Sequence, residues 1–80
     1  MLNKLIERLN SEELIGFFKR QDIIFLHLEE KDYNILRQIR MSGNVFIYAS
    51  KDDFINTPLT WGIAMEVYNL RMKVTAGIRV

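Results

Sequence analysis

Residues 58–80, PLTWGIAMEVYNLRMKVTAGIRV, decide the fold because they fit two incompatible structures. In a β-hairpin, apolar residues would alternate along two arms on either side of Asn69. The first arm would hold Leu59, Trp61, Ile63, Met65 and Val67, and the second Leu70, Met72, Val74, Ala76, Ile78 and Val80. In a helix, apolar residues would instead form one stripe at the spacing i, i+3, i+4, i+7 and i+11: Trp61, Ala64, Met65, Tyr68 and Met72.

The residues around this segment favour the helix. Thr57 is a good N-cap, and Pro58 suits the first helical turn. A hairpin would need a tight turn at residues 68–69 or 69–70, and neither pair is a good turn former. We therefore predict a helix over 58–71 followed by a strand over 73–80, with the hairpin as the alternative.

The rest of the chain reads as alternating helices and strands. Apolar residues at helical spacing predict two short helices, or one bent helix, over 2–20, with Asn10 and Glu13 forming a capping box. The apolar run over 23–28 predicts a buried strand. A helix follows, with Asp32 as N-cap and Gly43 as the C-terminal stop, and NVFIYAS (44–50) predicts a second strand.

These elements predict a small α/β (or α+β) protein. The order is α(α)-β-α-β-α-β, with a three-stranded, at least partly parallel sheet packed against helices. We expect residues 1–80 to form a single compact domain. Without Cys to form disulfides, burial of the 49% apolar residues must stabilise it. A chain of this size has only about 4–12 kcal/mol of stability, so self-association into a homodimer or higher oligomer is expected.

Composition also limits the environment and the partners. No apolar run approaches the roughly 18 residues of a membrane span, and the N-terminal residues lack the apolar core of a signal peptide. We therefore expect a cytoplasmic protein with no membrane partner. The net charge of +1 is not that of a strongly basic nucleic-acid binder.

Acidic residues after the predicted strands could bind a metal. Glu29, Asp32, Asp52 and Asp53 would lie near the carboxyl edge of a parallel sheet, and their oxygens suit Mg²⁺. The alternative is that they are helix caps and solvated loop charges, and Asp32 and Asp53 are well placed as caps. We favour that alternative and predict no metal and no cofactor.

No constellation of catalytic residues is recognisable. His27, the sole histidine, could act as a general base near Glu29, but no activated nucleophile accompanies it, so a histidine satisfied within or beside the core is the simpler interpretation. The run Gly62-x-Ala64-x-Glu66 resembles the helix of nucleoside deoxyribosyltransferase-like folds that carries a reactive glutamate. The first nucleotide-binding loop of that family is absent here. We therefore predict no enzyme and interpret Glu66 as a solvent-facing helix residue.

Two groups of basic residues could contact phosphates. Arg37 and Arg40 share one side of a predicted helix, while Arg71, Lys73 and Arg79 cluster near the C-terminus. Base-stacking aromatics normally accompany such charge, but the aromatics here lie in apolar stripes. A solvated face with salt bridges is the favoured interpretation.

Large apolar side chains exceed what a three-stranded sheet can bury. Some should therefore be exposed and mark an association surface, which we predict at Phe54, Trp61 and Met65. The alternative is that these residues complete the monomer core. We predict a non-catalytic binding or regulatory protein that acts through a protein–protein surface and self-associates. A nucleic-acid-binding regulator using the basic groups is the first alternative, and a domain that binds a small ligand or Mg²⁺ at the acidic sheet edge is the second.

Overall fold

The computed structural model describes residues 2–21 and 27–76, with side chains from residue 4 onward. Within these ranges the chain forms six helices and no strand. They are α1 (Leu2–Glu7), α2 (Ser11–Gln21), α3 (Glu30–Gln38), α4 (Gly43–Tyr48), α5 (Lys51–Ile55) and α6 (Trp61–Thr75). Helix α1 packs on α4, α2 on α3, and α5 on α6, while α6 also contacts α1 and α4. The predicted α/β fold with a three-stranded sheet is therefore wrong.

The sequence identified several helices correctly. Those expected over 2–20 are present as α1 and α2, and the capping box between them is confirmed. The Asn10 N–H donates to Glu13 Oε1 at 2.9 Å, and the Glu13 N–H donates to Asn10 Oδ1 at 2.9 Å. The helix after residue 58 also exists, so the hairpin alternative is wrong. It begins at Trp61 with Thr60 as N-cap, three residues later than predicted.

The predicted strand over 44–50 is the clearest error. Residues 43–48 form helix α4, capped by Ser42, whose Oγ accepts a hydrogen bond from the Val45 N–H at 3.4 Å. Gly43 was expected to end the preceding helix, but it begins α4 and lies against α1. A Cβ at this position would be 1.6 Å from the Ile6 carbonyl oxygen. The Gly43 N–H donates to Leu9 O at 2.8 Å. The absence of a side chain therefore lets α1 and α4 approach closely.

The strands predicted over 23–28 and 73–80 are also wrong for the residues that the structure describes. Residues 73–75 belong to α6, and residues 77–80 lie outside the described ranges. His27 and Leu28 form no strand, while residues 23–26 are likewise outside the described ranges. Helix α3 follows instead, with Glu29 rather than Asp32 as its N-cap. The Glu29 N–H donates to Asp32 Oδ2 at 2.8 Å, so Asp32 caps from the third helical position.

A chain of aromatic rings connects four of the helices through the core. Phe18 of α2 meets Phe46 of α4 with 5.1 Å between ring centroids, and Phe46 meets Phe54 of α5 at 6.3 Å. Phe54 in turn meets Tyr68 of α6 at 5.8 Å. Edge-to-face contacts of this kind add to the free energy gained from burying the rings. The core therefore runs through the protein to the exposed side of α6.

Candidate functional site: the exposed face of α6

The connection between α5 and α6 fixes where α6 begins. The Thr57 hydroxyl donates to Phe54 O at 2.8 Å, and the Leu59 N–H donates to Thr57 Oγ1 at 3.4 Å. The side chain of Leu59 is buried and anchors the connection to the core. Thr60 has extended backbone angles (φ −61°, ψ 154°), as an N-cap residue should, and Trp61 then begins the helix. Trp61 is thus held at the start of a 15-residue helix.

Helix α6 is apolar on its exposed side as well as on its buried side. The buried face consists of Ala64, Val67, Leu70 and Val74. A second apolar stripe lies roughly 130° around the helix from this face. We call this stripe the α6 seam, defined as Trp61, Met65, Tyr68 and Met72. Trp61 is 68% exposed and Met72 is 46% exposed, while Met65 and Tyr68 are partly buried.

Arg71 and Phe54 pack against Tyr68, in the middle of the α6 seam. The Arg71 guanidinium lies 5.1 Å from the centroid of the Tyr68 ring and 5.7 Å from that of Phe54. Arg71 Nη1 also donates to Ile47 O and Ala49 O, both at 2.8 Å. These carbonyls belong to the C-terminal end of α4, where helical carbonyls need external donors. Arg71 therefore connects α6 to α4 and holds the Tyr68 ring in place.

One polar edge of α6 is tethered to the loop before α3. Glu66 Oε1 accepts the His27 N–H at 2.9 Å and lies 3.1 Å from His27 Nδ1. A shallow depression lined by Glu66, Asn69, Leu70 and Lys73 lies along the same edge. Glu66, predicted to be simply solvent-facing, is in fact partly buried and bonded to the loop.

The structure separates the three residues predicted for the interaction surface. Trp61 is exposed and Met65 is partly buried, and both belong to the α6 seam. Phe54 is only 1% exposed and lies in the core, so it supports the seam through Tyr68 without forming part of the surface. Met72 was recognised as part of the apolar stripe, but its exposure was not foreseen.

The predicted phosphate-binding arginines lie in different environments. Arg37 Nε donates to Glu12 Oε2 at 2.8 Å, and Nη1 donates to Glu30 Oε1 at 3.2 Å. The hydrogen bonds to Glu12 and then to Glu30 raise the pKa of Arg37 above its ordinary value. Arg71 binds the α4 carbonyls, as described above. These two guanidinium groups are therefore already engaged within the protein.

Among the residues that the structure describes, the other predicted phosphate-binding cations do not cluster with Arg37 and Arg71. Arg40 is exposed and lies just beyond α3, where its φ of 56° places it in the left-handed region. Lys73 lines the depression on α6. Arg79 is outside the described residues.

The candidate metal ligands lie at two helix starts. Glu29 and Asp32 are the N-cap and third residue of α3, whereas Asp52 and Asp53 lie in the first turn of α5. The Ser50 N–H donates to Asp53 Oδ2 at 2.9 Å, and the Asp53 N–H donates to Ser50 Oγ at 3.1 Å. The bond from the Ser50 backbone is the main reason that the pKa of Asp53 lies below its ordinary value of 3.8. Within residues 2–21 and 27–76, no three acidic, His or Cys residues converge on a common point.

Sequence reasoning missed a second set of exposed apolar residues, on α1 and α4. Leu5 is 62% exposed, and Val45 and Tyr48 are also exposed. The Tyr48 hydroxyl donates to Glu7 Oε1 at 3.0 Å. Because 44–50 was interpreted as a strand, nothing in the pattern pointed to the exposure of Val45 and Tyr48 on one side of a helix.

The helical fold agrees with a comparison against known families. The model of a SAM-like domain matches residues 2–72. The chain belongs to the SAM-like domain family. No curated protein and no solved structure matches the chain. SAM-like domains are helical and often serve as protein-interaction modules, so this membership is compatible with a binding role. No helix in the described part of this SAM-like domain is long and apolar enough to cross a bilayer.

Proposed function

We propose that this SAM-like domain is a non-catalytic protein-interaction module that binds its partner through the α6 seam and also self-associates. The observation that carries the proposal is the exposure of Trp61, a residue that is 68% accessible to solvent at the start of α6. Tryptophan is enriched among the residues that dominate binding energies at protein interfaces. Its position beside Met65, on a helix anchored by Arg71, offers a rigid apolar surface.

Family membership supports the same class of function. SAM-like domains commonly mediate protein interactions or oligomerisation. The basic residues give less support to nucleic-acid binding, because the guanidinium groups of Arg37 and Arg71 bind carboxylates and carbonyls of the protein itself. A nucleic-acid interface needs cations that are available to phosphates.

Affinity capture from a lysate of the host organism tests the proposal. The tagged protein, the Trp61→Ala variant and the Leu5→Ala variant are compared with and without nuclease, at low and high salt. Leu5→Ala is the matched control because it also removes an exposed apolar side chain, but from α1. We expect a stoichiometric protein partner that survives nuclease and salt, is retained by Leu5→Ala and is lost with Trp61→Ala. Loss of the captured material on nuclease treatment, or equal capture by both variants, would contradict the proposal.

A further inference from the structure

We infer that the α6 seam binds the α6 helix of a second copy of this chain, with the two helices antiparallel. This inference rests on the proposed function, because it names the occupant of the same surface. The four seam residues follow one another at intervals of four, three and four positions. That is the a/d spacing of a coiled coil, whose natural partner is another helix. The seam extends over about 16 Å of helix, at a rise of 1.5 Å per residue.

The order of residues in the seam is self-complementary under a two-fold axis between Glu66 and Val67. In an antiparallel pair, Trp61 of one copy lies opposite Met72 of the other, and Met65 lies opposite Tyr68. Every contact then joins a methionine to an aromatic ring, and such sulfur–aromatic contacts are favourable. A parallel pair would instead place Trp61 against Trp61 and Met65 against Met65. The sequence of the seam therefore favours the antiparallel arrangement.

The positions beside the seam also suit a second copy. On one side they are Gly62, Asn69 and Ala76, which are exposed and uncharged. On the other side they are Ala64, which is buried, and Arg71, whose guanidinium binds the α4 carbonyls. Charges at these positions normally set partner choice in paired helices. With the two-fold axis between Glu66 and Val67, Arg71 of one copy lies opposite Gly62 of the other, so two copies would meet without like-charge repulsion.

The size of the seam sets the strength that can be expected. Four side chains per copy bury much less than the roughly 1,600 Å² of a standard interface. We therefore expect a reversible dimer with a dissociation constant on the order of 10–100 μM. Association should therefore develop as the protein concentration is raised from about 1 μM to about 1 mM.

Sedimentation equilibrium of the full chain provides the first test. The average mass should rise with concentration from 9.5 kDa towards twice that value. Trp61 is the sole tryptophan, so its fluorescence should shift to shorter wavelength over the same concentration range as the indole leaves water. Met72→Glu should weaken association about tenfold or more, because it would place a charge opposite the indole. Leu5→Glu is the matched control, and it should leave association within about twofold of the unmodified chain.

Disulfide trapping tests the orientation, because the chain contains no cysteine. One preparation carries Trp61→Cys, and the other carries Met72→Cys. When the two are mixed and oxidised, an antiparallel pair gives mainly the mixed 61–72 disulfide. A mixture of Leu5→Cys and Met72→Cys is the control for random crosslinking. The antiparallel arrangement would be overturned if the two homodisulfides predominated, or if the 61–72 crosslink formed no more than the crosslink in the control.

The outcomes separate this inference from the proposed function. A chain that stays monomeric up to about 1 mM would overturn the inference, as would equal effects of Met72→Glu and Leu5→Glu. If Trp61→Ala still abolished capture of a different protein, the proposed function would stand without self-pairing. If the dimer formed and Trp61→Ala left capture of other proteins unchanged, the seam would serve self-association alone.

Discussion

Substitution of Gly43 by alanine should destabilise the protein more than the same substitution at Gly16 or Gly62. The new Cβ would lie 1.6 Å from the Ile6 carbonyl oxygen, 2.7 Å from the Ile6 carbonyl carbon and 3.3 Å from the Leu9 nitrogen. All three atoms belong to the backbone of α1 or the turn after it, so no side chain can rotate away. Ordinary contact begins at 3.4 Å, so the segments must separate by about 1.8 Å.

The cost follows from what that separation breaks. Overpacking of this kind costs about 1–3 kcal/mol, and losing the hydrogen bond from the Gly43 N–H to Leu9 O adds about 0.5–1.5 kcal/mol. We expect a loss of about 3 kcal/mol from a total of about 4–12 kcal/mol. For a domain of this length the midpoint of thermal unfolding should fall by roughly 12–24 °C.

Urea and thermal unfolding followed by circular dichroism measure the effect, with Gly16→Ala as the control. A Cβ at Gly16 would meet only Arg20 Nη1, at 3.9 Å, inside α2. That substitution should therefore stabilise the protein by up to about 1 kcal/mol, the difference in helix propensity. If Gly43→Ala unfolded at the same midpoint as the unmodified protein, or stabilised it as Gly16→Ala should, the close approach of α1 and α4 would not depend on this glycine.

Three further substitutions test individual elements of the fold by urea unfolding. Arg71→Met removes the donors to the α4 carbonyls while keeping an apolar stem, so it should lower the free energy of unfolding by about 1–3 kcal/mol. Asp53→Asn removes a carboxylate whose pKa is lowered mainly by the Ser50 backbone N–H. The Asp53 carboxylate should stabilise the fold above pH 3.8, its ordinary pKa, and this contribution should be lost as the pH falls through the lower pKa of the folded state. The substitution should therefore lower the free energy of unfolding only in the higher pH range. Arg40→Gly relieves a left-handed conformation with φ 56° and should stabilise the protein by about 1 kcal/mol.

Matched variants show whether these effects are specific. Arg40→Met removes an exposed guanidinium and should change stability far less than Arg71→Met, so equal losses would mean that the α4 contact is unimportant. Asp52→Asn, one position earlier in the first turn of α5, is the control for Asp53→Asn. The capping interpretation fails if the two unfold with the same pH dependence. Arg40→Ala keeps the left-handed strain, so a gain as large as that of Arg40→Gly would show that conformation is not the cause.

The parts of the fold that sequence reasoning predicted correctly depend on local chemistry. The capping box of Asn10 and Glu13 needs only two side chains three positions apart, and it forms as expected. The helix containing Trp61 was favoured over the hairpin because its stripe has helical spacing and the hairpin would need a poor turn. Both arguments use residues that are close in sequence, where intrinsic preference and structure agree.

The error at 44–50 arises from a contact between distant segments. Val45, Ile47 and Tyr48 have strand propensity, and a short apolar run cannot be assigned from periodicity alone. The actual burial is not alternating, since the neighbours Phe46 and Ile47 are both buried while Val45 and Tyr48 are exposed. What selects the helix is the cap from Ser42 and the close fit of the helix start against α1, and the second of these is invisible in the local sequence.

The sequence revealed the apolar stripe of α6 but not which of its residues are buried. The predicted stripe joined Trp61, Met65, Tyr68 and Met72 to Ala64, which is buried in the structure, while Trp61 and Met65 were predicted to belong to an exposed association surface together with Phe54. The apolar residues of α6 cover both the seam and the buried face, so their pattern alone does not reveal which of the two is buried. In the structure, the four aliphatic residues of the buried face satisfy the core, so the larger side chains of the seam remain outside. That surplus is the physical argument for a partner: the seam extends a helix whose buried side is already complete, so a second helix can cover it without disturbing the fold.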